Sequence, residues 1–132
     1  MGTLTSYILD TCTLIWLCTD PKRISETAKE AIETAQTPLL LSDVSAIELA
    51  LKWQSGKLDI PDPPRHWLEK QIAVWGLTCL SLSRFDIYRA TELPNHHRDP
   101  FDRWLVASAL NENATILTPD SAIHQYPVSC LW

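Results

Sequence analysis

The strongest constraint on this chain is an alternation. Five short apolar runs, at 7–10, 38–42, 77–82, 114–118 and 128–132, are separated by stretches whose apolar residues recur at helical spacing. Those stretches predict helices over 11–18, 25–36, 43–55, 65–75, 83–93 and 100–113, and a short one over 121–125. Runs this short and this uniformly apolar suit strands covered on both faces, as in a parallel sheet. Parallel strands need long crossovers, and helices supply them with right-handed connections. The fold class that follows is α/β, in three layers, with a mainly parallel central sheet of about five strands. At 132 residues and 45% hydrophobic content the chain can bury one core, and no linker, repeat or low-complexity tract divides it. Residues 1–132 therefore read as one domain.

Helix ends are marked locally. Asp20-Pro21 closes the first helix, Ser42 or Asp43 can cap the third, and Gly56 and Gly76 are natural stops. The helix at 100 opens most clearly, with Asp99 as N-cap and Pro100 at the first turn, where a missing N–H costs nothing.

Composition removes several functions. A net charge of −5 argues against binding nucleic acid by charge alone. No stretch approaches the ~20 apolar residues of a membrane span, and no basic segment precedes an apolar run near the start, so a cytoplasmic protein is expected. The opening Met1-Gly2-Thr3-Leu4-Thr5-Ser6 matches an acylation pattern in form only, because a buried strand begins at Tyr7. Cys12, Cys18, Cys79 and Cys130 form no closely spaced pair and sit among apolar residues. Four reduced core cysteines are expected.

The informative residues are acids. Ligands in parallel sheets bind at the carboxyl ends of strands. Asp10 ends the first run and Asp120 follows the fourth. Glu48 lies on the stripe Val44, Ile47, Leu51 of the third helix, and Asp102 heads the stripe Leu105, Val106, Ala109. A carboxylate aimed at a core is costly unless a cation or hydrogen bonds receive it. Four such acids converging on one cleft would suit a hard cation, Mg²⁺ or Mn²⁺, which takes oxygen ligands. Each also has a local reading. Asp10 and Asp120 read as caps or turn residues, Glu48 as the i,i+4 partner of Lys52, and Asp102 as the closing residue of a capping box with Asp99. His96 and His97 read as a solvated loop pair. The six tryptophans read as core and partner-surface residues.

In these residues the chain resembles the PIN-domain ribonucleases, and within them the VapC-like toxins of bacterial toxin–antitoxin pairs. The resemblance rests on Tyr7-Ile8-Leu9-Asp10-Thr11, on the run from Leu41 to Lys52, and on Gly56-Lys57-Leu58. Leu93-Pro94, His97-Arg98-Asp99-Pro100-Phe101-Asp102-Arg103 and Leu117-Thr118-Pro119-Asp120 complete it. These pieces run in order over nearly the whole chain. The resemblance implies an endoribonuclease dependent on Mg²⁺ or Mn²⁺, with water activated by metal held among carboxylates. It also implies a homodimer and a cognate VapB-like antitoxin. Carried over by position, the catalytic acids are Asp10, Glu48, Asp102 and Asp120, with Asp99 a fifth acid beside the metal. Arg98, Arg103, Lys52 and Lys57 are candidate phosphate contacts, and the two arginines read equally as partners of the neighbouring aspartates. Thr11 and Thr118 are candidates to touch substrate or to orient a carboxylate or water. Pro119 departs from the family pattern, where a residue with a backbone N–H is commoner. The exposed parts of Trp16, Trp53, Trp67 and Trp75 would line a groove for the antitoxin. Two other classes remain at this level: a catalytically inactive PIN-like binding module, and a phosphatase with an aspartyl nucleophile at Asp10. For the phosphatase, the second acid expected two residues on is Cys12.

Overall fold

The computed structural model describes residues 4–96 and 99–132. The formal acylation site at Gly2, and His97 and Arg98, lie outside the described residues. The chain alternates strand and helix: β1 (Tyr7–Leu9), α1 (Thr11–Thr19), α2 (Glu26–Thr34), β2 (Leu40–Ser42), α3 (Asp43–Gln54) and α4 (Pro64–Trp75). It continues with β3 (Thr78–Leu80), α5 (Arg84–Glu92), α6 (Pro100–Glu112), β4 (Thr115–Leu117) and β5 (Cys130–Leu131). Single 3₁₀ turns at Pro21–Arg23 and Ile123–Gln125 fill two connections, the second where a short helix was expected.

All five strands are parallel, in the order β3-β2-β1-β4-β5. Successive strand residues point to opposite faces, and this sorts the core into two layers. Leu9, Leu41 and Leu117 face one side, where Leu14 of α1, Ala31 of α2, Leu49 of α3 and Trp67 of α4 cover them. Ile8 and Ile116 face the other, against Leu105, Val106 and Ala109 of α6, with α5 packed on α6. This is the α/β/α sandwich expected.

The caps agree with their local chemistry. Ser25 accepts from the Ala28 N–H, Ser42 from the Val44 N–H, and Asp99 from the Phe101 N–H at 2.9 Å. A full capping box forms at α5, between Ser83 and Asp86. Gly76 ends α4 with φ +61, a left-handed conformation that costs glycine nothing.

The third apolar run is the main departure. Only Thr78–Leu80 of 77–82 pairs, and β3 is an edge strand with Thr78 and Cys79 exposed. Cys79 is therefore a surface thiol, while Cys12, Cys18 and Cys130 are half-buried. Trp67 is the second correction: at 4% exposure it is a core residue and lines no groove. Among the described residues no helix is long and apolar enough to cross a membrane.

Candidate active site

The strand order decides where the site sits. From β1 the chain winds outward through β2 to β3, then crosses back to lay β4 on the other side of β1. The direction of winding reverses between β1 and β4, and a crevice opens there beyond the strand ends. Leu9 pairs with Leu117, so Asp10 and Thr118 leave the sheet side by side.

Asp10 is both the cap of α1 and a member of the candidate site. Its Oδ1 accepts from the Thr11 N–H at 2.7 Å, as the N-cap of α1. Its Oδ2 accepts from the Thr118 hydroxyl at 2.6 Å and from the Cys12 thiol at 3.5 Å. Burial raises the Asp10 carboxyl above its usual range despite the bonds from Thr118 and Thr11. The Thr118 oxygen in turn accepts from the Asp120 N–H at 3.1 Å. One buried hydroxyl thus links the carboxylate that ends β1 to the acid that follows β4.

Asp102, on the first turn of α6, is 9% exposed. Burial first, and then the charges of Asp10, Asp99, Asp120 and Glu48, together push its carboxyl up to about 8. Those four acids approach from α1, the α6 cap, the turn after β4, and α3. Asp120 also caps its own turn, its Oδ1 accepting from the Ala122 N–H at 2.8 Å. Glu48 pairs with Lys52 at 3.6 Å, as the i,i+4 reading expects, and its charge is also felt at Asp102.

Several candidates have other work. Thr11 and Thr118 are 2% and 0% exposed, so neither hydroxyl is open to a strand in solvent. Thr118 orients Asp10, and Thr11 donates to Ser45 at 3.0 Å, tying α1 to α3. The Arg103 guanidinium donates to the carbonyls of Ala90, Leu93 and Pro94 and to the Tyr126 hydroxyl. It closes the C-terminal end of α5 onto α6. Lys52 is partly exposed at the rim and Lys57 is exposed just past α3. His96 stacks edge-on against Tyr126. Cys12 is pushed up to about 12, so it cannot be the second acid of a phosphatase near neutral pH.

Two residues bonded to Thr11 and Thr118 beside the candidate acids went unread in the sequence. Ser45 is 1% exposed and lies one turn before Glu48, a spacing that would have flagged it. His124 places Nε2 2.7 Å from the Thr118 carbonyl; a lone histidine in a polar turn carries no such signal.

Among the described residues no three acid, histidine or cysteine side chains stand close enough to close a full metal shell. A small hard cation does not need one, since Mg²⁺ keeps several waters and takes one or two carboxylates directly. The donors are oxygens, half-starved of solvent and mutually repelling, and they fit such an ion.

Fold and site together define an α/β domain with an acidic cleft at its switch point. The PIN domain profile matches residues 7–128, and the chain belongs to the PIN domain family. It is 26% identical over 129 residues to Ribonuclease VapC22 of Mycobacterium tuberculosis, covering 94% of this chain and 95% of that one. Among solved structures it resembles VapBC2 from Rickettsia felis bound to promoter DNA, with a TM-score of 0.70, 14% identity, and coverage of 96% and 98%. DNA-bound VapBC from Salmonella typhimurium aligns with a TM-score of 0.69, 14% identity, and coverage of 97% and 98%.

Proposed function

We propose that this chain is a divalent-metal-dependent endoribonuclease and the toxin of a toxin–antitoxin pair. The observation that carries the reading is the convergence of Asp10, Glu48, Asp99 and Asp120 on the buried carboxyl of Asp102. Like charges this close are tolerated when protonated or when a cation neutralises them. Mg²⁺ or Mn²⁺ bound here supplies charge to hold a phosphodiester and to activate water for in-line attack. In this reading two of Asp10, Asp102 and Asp120 hold the ion directly and waters fill the rest of its shell, with the third acid, Asp99 and Glu48 completing the negative field. Thr118 keeps Asp10 and Asp120 in register. Lys52, next to Glu48, and Lys57 receive the RNA backbone, which an acidic protein must meet with local positive charge. The likeness to a named ribonuclease supports the same chemistry.

The antitoxin reading has its own support. Ile47, Leu51 and Trp53 of α3 are 39%, 48% and 40% exposed on the helix that carries Glu48. A partner helix laid along them would bring a basic side chain to the acids. Two of the solved structures it resembles in fold are VapBC complexes, which also favours a paired, dimeric toxin.

The test is RNA cleavage by the purified chain in Mn²⁺, in EDTA, and as Asp102→Asn in Mn²⁺, with growth followed on expression with and without a neighbouring antitoxin gene. Cleavage in Mn²⁺ only, a loss of roughly 100-fold in the variant, and growth arrest relieved by the antitoxin are expected. Equal cleavage in EDTA refutes the metal chemistry. RNA held but never cut under Mn²⁺ points instead to the inactive binding module.

A further inference from the structure

His124 stands outside the acid cluster and is exposed, yet the tip of its ring is engaged. Its Nε2 lies 2.7 Å from the carbonyl of Thr118. A carbonyl only accepts, so Nε2 carries the hydrogen, and neutral and charged rings both donate here. Thr118 is 0% exposed, and its carbonyl belongs to the peptide bond that enters Pro119. Pro119 has no N–H to anchor the turn from within. The turn is held instead by bonds among the residues on either side of Pro119. The Asp120 N–H goes to the Thr118 hydroxyl, the Ala122 N–H to Asp120 Oδ1, and the His124 N–H to the Asp120 carbonyl at 3.2 Å. The His124 ring closes this set by returning to Thr118.

We propose that His124 is a positioning residue for the acidic site: its ring locks the Thr118 carbonyl and so fixes the turn that sets Asp120 against Asp10. It replaces from four residues beyond Asp120 the constraint that Pro119 cannot provide. It touches neither metal nor RNA; it acts through Thr118, whose hydroxyl already bonds both acids' segments. The inference rests on the metal-site reading above. Partners that orient ligating carboxylates typically change metal affinity by 10–100-fold when removed.

The test is Mn²⁺ affinity by calorimetry on the full chain, beside RNA cleavage, for His124→Leu, His124→Asn and His124→Gln. Gln reaches as far as Nε2 and donates from an amide; Asn is too short; Leu fills space without donating. Leu and Asn are expected to weaken Mn²⁺ by roughly 10-fold and to raise the metal concentration needed for half-maximal cleavage in step. Gln is expected to restore both to near wild type. His124 is exposed, so the Gln and Asn variants remain folded and comparable even if Leu does not. Wild-type affinity in Asn, or a Gln variant as weak as Asn, overturns the positioning role while leaving the metal site standing. A wild-type chain that takes up no Mn²⁺ overturns the metal-site reading, and this inference with it.

Discussion

The Asp102 carboxyl makes a demanding prediction about the metal-free protein. In an unfolded chain an aspartate titrates near ~3.9, whereas here burial and four neighbouring acids push Asp102 up to about 8. The folded state therefore holds this proton more tightly than the unfolded state does. The stability this confers is fully present below pH ~4 and is lost as pH rises through the folded value. At ~1.36 kcal/mol per pH unit, the interval from ~3.9 to about 8 sets a ceiling of about 5–6 kcal/mol. The cleft opens to solvent and its charges are screened, so about half of that is the working figure. For a chain of 132 residues, ~2–3 kcal/mol corresponds to roughly 10 °C in melting temperature. Asp102→Asn keeps the shape and removes the charge. In EDTA at pH 8 the variant is expected to melt roughly 10 °C above wild type, and the two curves should converge towards pH 4. Mn²⁺ at about 1,000 times its Kd should reverse the order, because it adds ~4.1 kcal/mol to the wild type and the variant binds too weakly to gain it. Melts followed by circular dichroism from pH 4 to 9, with EDTA and with Mn²⁺, read all of this. Parallel curves in EDTA, or a variant that melts lower at pH 8, would refute the argument that Asp102 carries strained charge.

The remaining predictions separate scaffold from chemistry. Asp99→Asn keeps the cap on Phe101, since asparagine caps about as well as aspartate; urea unfolding should shift by less than ~0.5 kcal/mol and cleavage should fall less than in Asp102→Asn. The reverse ranking would make Asp99 the principal ligand. Arg103→Met removes donors from the carbonyls that end α5, so unfolding should cost ~2–3 kcal/mol while KM for RNA stays within about 2-fold. A tenfold rise in KM with unchanged stability would return Arg103 to the RNA surface.

What was legible in the sequence was local. Asp99 and Pro100 announce the start of α6 because a cap needs a side chain and a missing N–H within three residues. The strands were legible as apolar runs, but their order was not. Leu77–Leu82 looks like any buried strand, and only its place at the sheet edge exposes Thr78 and Cys79. The acids at 10, 48, 102 and 120 were legible through the rule on strand ends and through family likeness. Their supports were not, because the partners are remote. Thr118 meets Asp10 across 108 positions, and Arg103 meets carbonyls 9 to 13 positions upstream. No periodicity encodes such pairs. Trp67 shows the same limit, since a tryptophan on an amphipathic helix can face either way until the sheet is in place.

The pairing of β1 with β4 also sets a timetable. β1 joins Tyr7, Ile8 and Leu9 to Thr115, Ile116 and Leu117, so its second neighbour is made last but one. A ribosome that has reached residue 110 has already delivered Asp10, Glu48 and Asp102, yet the strand that carries Thr118 does not exist. β1 then has an open edge, Asp10 lacks the hydroxyl that orients it, and α6 has no β4 to lie on. Contacts so distant in sequence form late and slowly. The link between Asp10 and Asp120 is therefore made late: a chain stopped at residue 110 holds Asp10, Glu48 and Asp102 without the Thr118 hydroxyl that orients Asp10.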